Sequence, residues 1–225
     1  MIGPFALACL DMAGTTVHDD GAVDAAFRAA LAAVGVGEGT EHYRAAESFV
    51  RETMGWSKAD VFGALLEPAD AIRATDTFAA AYEAQVAAGG AREIAGARDA
   101  FRRLRGRGVA VCLTTGFAPS TRDALLDALG WRGEIDLALS PADVGRGRPA
   151  PDMILGAMDR LGVAEPDAVA VVGDTTSDLE AGTRAGAGAV IGVLSGAHDE
   201  ATLAAVPHTA LLADVSQLVG LLERA

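Results

Sequence analysis

Short apolar runs alternate with helix-patterned segments along residues 94–225, and this alternation restricts the fold more than any other feature. A run of the same character opens the chain at 5–10. Strands that alternate with helices pair in parallel and are covered on both faces of the sheet. We therefore predict an α/β protein with a Rossmann-like parallel sheet core. The later apolar runs have strand length and lie at 109–113, 135–139, 168–172, 189–194 and 209–212.

Residues 18–93 interrupt this alternation, because they show helical patterns and no strand signal. We predict a catalytic core formed by 1–17 and 94–225, with 18–93 inserted as an all-helical cap. Ser57 is the expected N-cap of the third cap helix. In the core, Ser177 and Glu180 have the spacing of a capping box at the start of the helix after the 168–172 strand. The cap helices are predicted at 22–34, 41–53, 58–66 and from 68 to about 90.

The net charge and the cysteine content restrict the classes of function that the chain can have. The chain has 225 residues and a net charge of −13, which argues against binding to nucleic acid or to anionic membranes. Its two cysteines, Cys9 and Cys112, lie in apolar runs and are expected to be reduced core thiols. No basic region precedes the first apolar run, so we expect no secretory signal and a cytoplasmic location.

Lys58 is the only lysine among the 18 Lys and Arg residues of the chain. A genomic bias toward Arg explains the many arginines but not the exception. A position that keeps Lys is suited to chemistry that needs an amine able to lose its proton and attack a carbonyl, because a guanidinium cannot do this. The count alone does not decide between a genomic bias toward Arg and a chemical role for the Lys58 amine.

Polar residues collect where the predicted strands end. Asp11 follows the first strand, Thr115 follows the 109–113 strand, and Asp174 and Asp178 follow the 168–172 strand. Arg148 lies in a Gly-rich loop between them. Two carboxylates at strand ends suit a hard cation such as Mg²⁺, and a hydroxyl with a cation suits a phosphoryl group. Each residue alone also has a structural explanation, as a helix cap or a surface charge.

In this order the motifs resemble the haloacid dehalogenase superfamily. The resemblance implies that Asp11 is a nucleophile, that Thr115 and Arg148 are the second and third motifs, and that 173–178 (GDTTSD) is the acidic fourth motif. It implies Mg²⁺ held by Asp11, the Ala13 carbonyl and Asp174. Asp178 would then hold a coordinated water or a neighbouring basic group.

Within the superfamily, the sequence is more similar to the phosphonatase-like branch, which includes the phosphonoacetaldehyde hydrolases. Most phosphatases of the superfamily carry a second Asp two residues after the nucleophile, and this chain has Ala13 there. Residues 54–58 (MGWSK) reproduce the branch's cap segment, in which the lysine forms a Schiff base. The resemblance thus implies Lys58 as the catalytic amine. The substrate-binding positions that it implies are Ala13, Gly14, Met54, Gly116 and Phe117.

The chemistry explains these differences from a phosphatase. Cleavage of a carbon–phosphorus bond expels a carbanion, which a carboxylic acid does not stabilise. An iminium on the adjacent carbon accepts the electron pair and leaves as an enamine. Lys58 must then be partly neutral near pH 7, and Trp56, Val61 and Phe62 are the side chains expected to desolvate it.

Some positions differ from the branch pattern. Val61 replaces a His one turn after the lysine, Phe117 replaces a Tyr, and no Cys lies near Gly21. These differences favour a substituted 2-oxoalkylphosphonate over phosphonoacetaldehyde itself. The alternatives are a phosphomonoesterase of the phosphoglycolate phosphatase type, a dehalogenase and a non-catalytic binding module. Relatives that dimerise through the cap suggest a homodimer.

Overall fold

The computed structural model describes residues 5–223, and a six-stranded parallel sheet forms its centre. The strand order is β3-β2-β1-β4-β5-β6, with β1 between β2 and β4. Strands β2 and β3 are added on one side of β1, and strands β4, β5 and β6 are added on its other side. A crevice therefore opens at the carboxyl ends of β1 and β4, where the order of addition changes side. The predicted α/β fold is confirmed. The strands are β1 (Leu7–Asp11), β2 (Ala110–Thr114), β3 (Leu137–Leu139), β4 (Val169–Gly173), β5 (Ala189–Val193) and β6 (Ala210–Leu212).

The central strands are buried on both faces, which explains their continuous apolar sequences. In β1, Ala8 and Leu10 join one hydrophobic cluster, whereas Leu7 and Cys9 join the cluster on the opposite face. Cys9 and Cys112 are buried free thiols, as expected, and burial raises the pKa of Cys112.

Helices cover both faces of the sheet. One cluster packs α7 and α8 against the sheet, and the other packs α5, α6 and α10 together with the helical segment after β1. No helix of the described residues is long and apolar enough to cross a membrane. The core helices are α5 (Ala97–Arg105), α6 (Pro119–Leu129), α7 (Asp152–Leu161), α8 (Thr176–Ala185), α9 (Glu200–Ala204) and α10 (Leu218–Glu223).

Four helices and a short π-helical turn lie between β1 and α5, where the sequence predicts an all-helical segment. Aromatic rings fill its interior: the Phe27 ring centroid lies 5.1 Å from that of Phe62 and 5.0 Å from that of Phe78. Ser57 caps the third helix through the Asp60 amide, as predicted. The helices are α1 (Ala22–Ala33), α2 (Glu41–Glu52), α3 (Lys58–Leu65) and α4 (Pro68–Gln85), followed by the π turn Val86–Gly90.

The two connections of this helical segment run side by side. Val17 and Glu93 form an antiparallel bridge. The His18 amide donates to the Arg92 carbonyl at 2.9 Å, and the Ile94 amide donates to the Thr16 carbonyl at 2.8 Å. Both connections therefore leave the core next to the carboxyl end of β1. The division into a core and a cap domain at these positions stays a prediction.

Candidate active site

The loop after β1 folds back on itself and brings its backbone toward β4. The amides of Thr16 and Val17 donate to the Met12 carbonyl, and the Gly14 amide donates to the Val17 carbonyl at 2.8 Å. Gly14 has φ of 88°, and a Cβ there would overlap the Asp174 carboxylate. Only glycine meets both the left-handed conformation and the close approach.

Asp174 is held at the end of β4 by two donors. The Thr15 hydroxyl donates to Oδ1 at 2.9 Å and the Ala197 amide donates to Oδ2 at 2.7 Å. Burial raises the pKa of Asp174 to about 6, and the charge of Asp178 adds to the rise while these two donors oppose it. The site thus concentrates negative charge that a cation would stabilise.

Arg148 joins two of the buried carboxylates. Its Nη1 donates to Asp11 Oδ1 at 2.6 Å and to Asp178 Oδ1. Burial opposes its charge, but Asp178 and Asp11 outweigh burial and keep the pKa of Arg148 above its ordinary value. Burial raises the pKa of Asp11, and Arg148 only partly offsets that rise. The buried Arg148 Nε has no hydrogen-bond partner among the described residues.

Asp178 accepts hydrogen bonds on both of its carboxylate oxygens. Its Oδ1 faces Arg148, while its Oδ2 accepts from the Thr175 amide at 3.1 Å and from the Thr175 hydroxyl at 2.6 Å. Thr175 is the N-cap of α8 and forms a capping box with Asp178. The prediction of a Ser177–Glu180 capping box is therefore wrong. The helix begins two residues earlier, because Asp178 can satisfy the N-cap amide and Glu180 lies beyond the first turn.

The turn after β2 meets the helical segment directly. The Lys58 amide donates to the Gly116 carbonyl at 3.3 Å, and a Cβ at Gly116 would lie 2.5 Å from the Trp56 carbonyl oxygen. On the other side of the crevice, the Ser177 hydroxyl donates to the Met54 carbonyl at 2.9 Å. Residues 54–58 are thus seated on the core.

The Lys58 side chain is 8% exposed and is enclosed by aromatic rings. Its Nζ lies 5.2 Å from the ring centroid of Phe27, 5.5 Å from Phe78 and 5.7 Å from Phe117. Burial and the charge of Arg148 lower the pKa of Lys58 to about 8 from 10.5. The amine is therefore neutral in an appreciable fraction of molecules near pH 7.

The rings that face the amine are not those that the sequence suggests. Phe62 packs against the rings of Phe27 and Phe78, Val61 is buried on the same helix, and Trp56 lines the cavity. The sequence does not predict Phe27 and Phe78 beside the amine, because they come from α1 and α4, whose packing around Lys58 has no local signal. It does not predict the roles of Thr15 and the Ala197 amide either, although 194–197 follows β5 at the same edge of the sheet.

One cavity of about 460 Å³ brings the predicted site residues together. The core contributes the strand-end residues and the helical segment contributes the amine. A single substrate molecule in this cavity can therefore contact both the carboxylates and Lys58. The predicted residues that line the cavity are Asp11, Ala13, Gly14, Met54, Lys58, Thr115, Gly116, Phe117, Arg148, Asp174 and Asp178.

Comparison with known proteins is consistent with this geometry. A probable phosphatase, IndB, from Dickeya dadantii is 36% identical over 125 residues, covering 56% of this chain and 54% of the relative. A phosphonoacetaldehyde hydrolase from Bacteroides fragilis is 32% identical over 129 residues, covering 56% of this chain and 48% of the relative. The chain thus spans about half the length of these curated relatives.

A solved structure shares the fold along nearly the whole chain. The phosphonoacetaldehyde hydrolase like protein from Oleispira antarctica superposes with a TM-score of 0.81 at 24% identity, covering 99% of this chain and 93% of that one. The family profile for haloacid dehalogenase-like hydrolases matches residues 5–186. With the sheet order and the strand-end carboxylates described above, this match shows that the chain belongs to the haloacid dehalogenase-like hydrolases.

Proposed function

We propose that this hydrolase cleaves the carbon–phosphorus bond of a 2-oxoalkylphosphonate. The observation that carries the proposal is the position of the chain's one lysine. Lys58 lies in the same cavity as Asp11 and Arg148, and burial lowers the pKa of its amine to about 8. Hydrolysis of a phosphate ester has no use for such an amine, whereas an oxo-phosphonate offers it a carbonyl.

Different residues would act on the phosphoryl group and on the carbonyl group of the substrate. Arg148, Thr115 and Gly116 line the cavity, and the Arg148 guanidinium, the Thr115 hydroxyl and the Gly116 amide would bind the phosphoryl oxygens. Lys58 would condense with the carbonyl and release water. The electron pair of the carbon–phosphorus bond would form the C=C bond of an enamine while the C=N pair moves to nitrogen, and Asp11 would accept the phosphoryl group as an aspartyl phosphate. The enamine carbon would take a proton from water to give the product imine, and water would hydrolyse both that imine and the aspartyl phosphate.

The carboxylates fit Mg²⁺, the cofactor that the family implies. In residues 5–223 no group of three or more His, Cys, Asp or Glu side chains is arranged to hold a metal ion. The donors would be Asp11, Asp174, the Ala13 carbonyl and water, which suits an ion that keeps several waters. When bound, Mg²⁺ would supply positive charge beside the phosphoryl oxygens and the nucleophile.

A substrate panel tests the proposal. We expect phosphate release from 2-oxoethylphosphonate and 2-oxopropylphosphonate, and little from phosphoglycolate, because Ala13 cannot protonate an alkoxide leaving group. The measurement is inorganic phosphate against time for each compound. Faster release from phosphate esters than from every oxo-phosphonate would instead support the phosphomonoesterase alternative.

The ionisation of Lys58 provides a second test. A lowered pKa leaves the amine protonated below pH 8 and neutral above it, so its nucleophilic fraction rises about tenfold per pH unit up to that value. Lysine labelled with ¹³C and ¹⁵N gives one side-chain signal in this chain, so the NMR titration needs no assignment. We expect a midpoint near 8, and a midpoint near 10.5 would contradict the buried neutral amine.

The predicted homodimer through the cap remains a proposal. So does the cytoplasmic location.

A further inference from the structure

Imine formation needs a proton donor that the assigned residues do not provide. The hydroxyl of the carbinolamine leaves as water only when it is protonated. Asp11, Asp174 and Asp178 lie at the phosphoryl end of the cavity. Near the amine, Val61 lies one turn along α3 and the Phe117 ring lies beside Nζ, and neither side chain carries an exchangeable proton. The inference that follows rests on the proposed function.

Asp19 occupies the cap side of this cavity. It follows the β1 loop, is half-buried, and lines the cavity together with Lys58. Its Oδ1 accepts the Val23 amide at 2.8 Å, which fixes the carboxyl group at the start of α1. Within residues 5–223, its Oδ2 has no hydrogen-bond partner, so this oxygen is available to a ligand.

The charge of Asp19 acts on the catalytic amine. It opposes the burial and the Arg148 charge that lower the pKa of Lys58, and it does so more strongly than Asp11. Asp20 and Asp24 also line the cavity, but both are exposed to solvent, and Asp20 is paired with Arg92. Among the carboxylates of residues 18–93, Asp19 therefore has the largest effect on the pKa of Lys58.

We propose that Asp19 is the acid–base catalyst of imine formation at Lys58. The neutral Nζ attacks the carbonyl carbon, the carbonyl π pair moves to oxygen, and one N–H proton follows to give the carbinolamine. The Asp19 carboxylic acid then protonates the hydroxyl. The C–O bond breaks with its electron pair to release water, and the nitrogen lone pair forms the C=N bond. Asp19 is left as a carboxylate, which takes a proton back from the water that later hydrolyses the imine.

On balance, the surroundings of Asp19 raise its pKa above the ordinary value for an Asp. Burial raises its pKa, and the charges of Asp24 and Asp20 add to the rise, while the Val23 amide and Lys58 oppose it. A carboxyl group with a raised pKa is a better proton donor near neutral pH than an exposed one.

Asp19→Asn tests the proposal while preserving the fold, because the amide oxygen can still accept from Val23. The assay is rapid mixing with 2-oxopropylphosphonate, followed by cyanoborohydride trapping and intact mass. We expect trapping to slow about 100-fold in Asp19→Asn. Asp20→Asn is the matched control and is expected to trap at close to the wild-type rate, because Asp20 makes the smallest of the contributions to the pKa of Asp19 and is exposed.

Chemical rescue separates proton transfer from a structural role. In Asp19→Ala, formate and acetate buffers are expected to restore trapping in proportion to the concentration of the acid, which a lost helix cap would not allow. An unchanged rate in Asp19→Asn, or a larger loss in His18→Gln than in Asp19→Asn, would overturn the proposal for Asp19 alone. Wild-type protein that traps no adduct would overturn the proposed function, and this proposal with it.

Discussion

We expect Lys58→Arg to abolish phosphate release from an oxo-phosphonate, although it keeps the positive charge. The guanidinium remains protonated at every working pH and cannot form an imine. We expect its kcat/KM to fall to within about tenfold of that of Lys58→Ala, because both variants lack the amine and neither side chain can form an imine. The measurement is phosphate release from 2-oxopropylphosphonate under single-turnover conditions.

The composition of the chain gives this prediction a direct control. Only the α-amino group competes with Lys58 for borohydride trapping, since no other lysine is present. Wild-type protein is expected to gain one adduct, which peptide mapping places at 58, and Lys58→Arg is expected to gain none. A near-native rate of phosphate release by Lys58→Arg would show that the Schiff base is not used. The protein would then be a phosphatase with an atypical first motif.

The core site could be predicted because parallel strands bring their carboxyl ends to one edge. Asp11 and Asp174 are 163 positions apart in number, yet β1 and β4 are hydrogen-bonded neighbours. The alternation of apolar runs and helices predicts parallel strands, so their carboxyl ends are expected at one edge of the sheet without knowledge of side-chain packing. The strand order that makes β1 and β4 neighbours comes from the structure. Arg148 joined them through a family motif rather than through any local pattern.

The surroundings of the amine could not be predicted, because they depend on packing between distant helices. The sequence places Lys58 at the start of α3, which is correct, but the rings around Nζ come from Phe27 in α1 and Phe78 in α4. Helical periodicity shows which face of each helix is apolar and does not show which residues meet. The lowered pKa of the Lys58 amine depends on the burial that this packing between helices produces.

The start of α8 shows a second limit. Three consecutive hydroxyl residues, Thr175, Thr176 and Ser177, lie where the helix starts, and from the sequence any of them can act as the N-cap. The structure selects Thr175 because Asp178 then reaches the N-cap amide and also faces Arg148. The capping choice is therefore determined by a contact 30 residues away in the sequence.

Asp11→Asn is the second substitution with a large expected effect. The amide keeps the size of the side chain but is not a nucleophile toward phosphorus, so we expect turnover to fall by at least about 10⁴-fold. The fold should persist, because burial and the neighbouring carboxylates already disfavour a charge on Asp11. Inorganic phosphate should still bind, since Arg148 keeps Asp178 as a partner and gains a free donor.

Isotope labelling then identifies the atom that attacks phosphorus. In a single turnover of wild-type protein in ¹⁸O-water, hydrolysis of an aspartyl phosphate by attack at phosphorus would put the label in phosphate and leave Asp11 unlabelled. Attack at the carboxyl carbon would label Asp11 itself. Rapid acid quench separates both routes from direct attack by water, because only a covalent route leaves a phosphorylated peptide that contains Asp11. If no phosphopeptide forms while phosphate is released, and Asp11→Asn retains activity, water rather than Asp11 is the nucleophile.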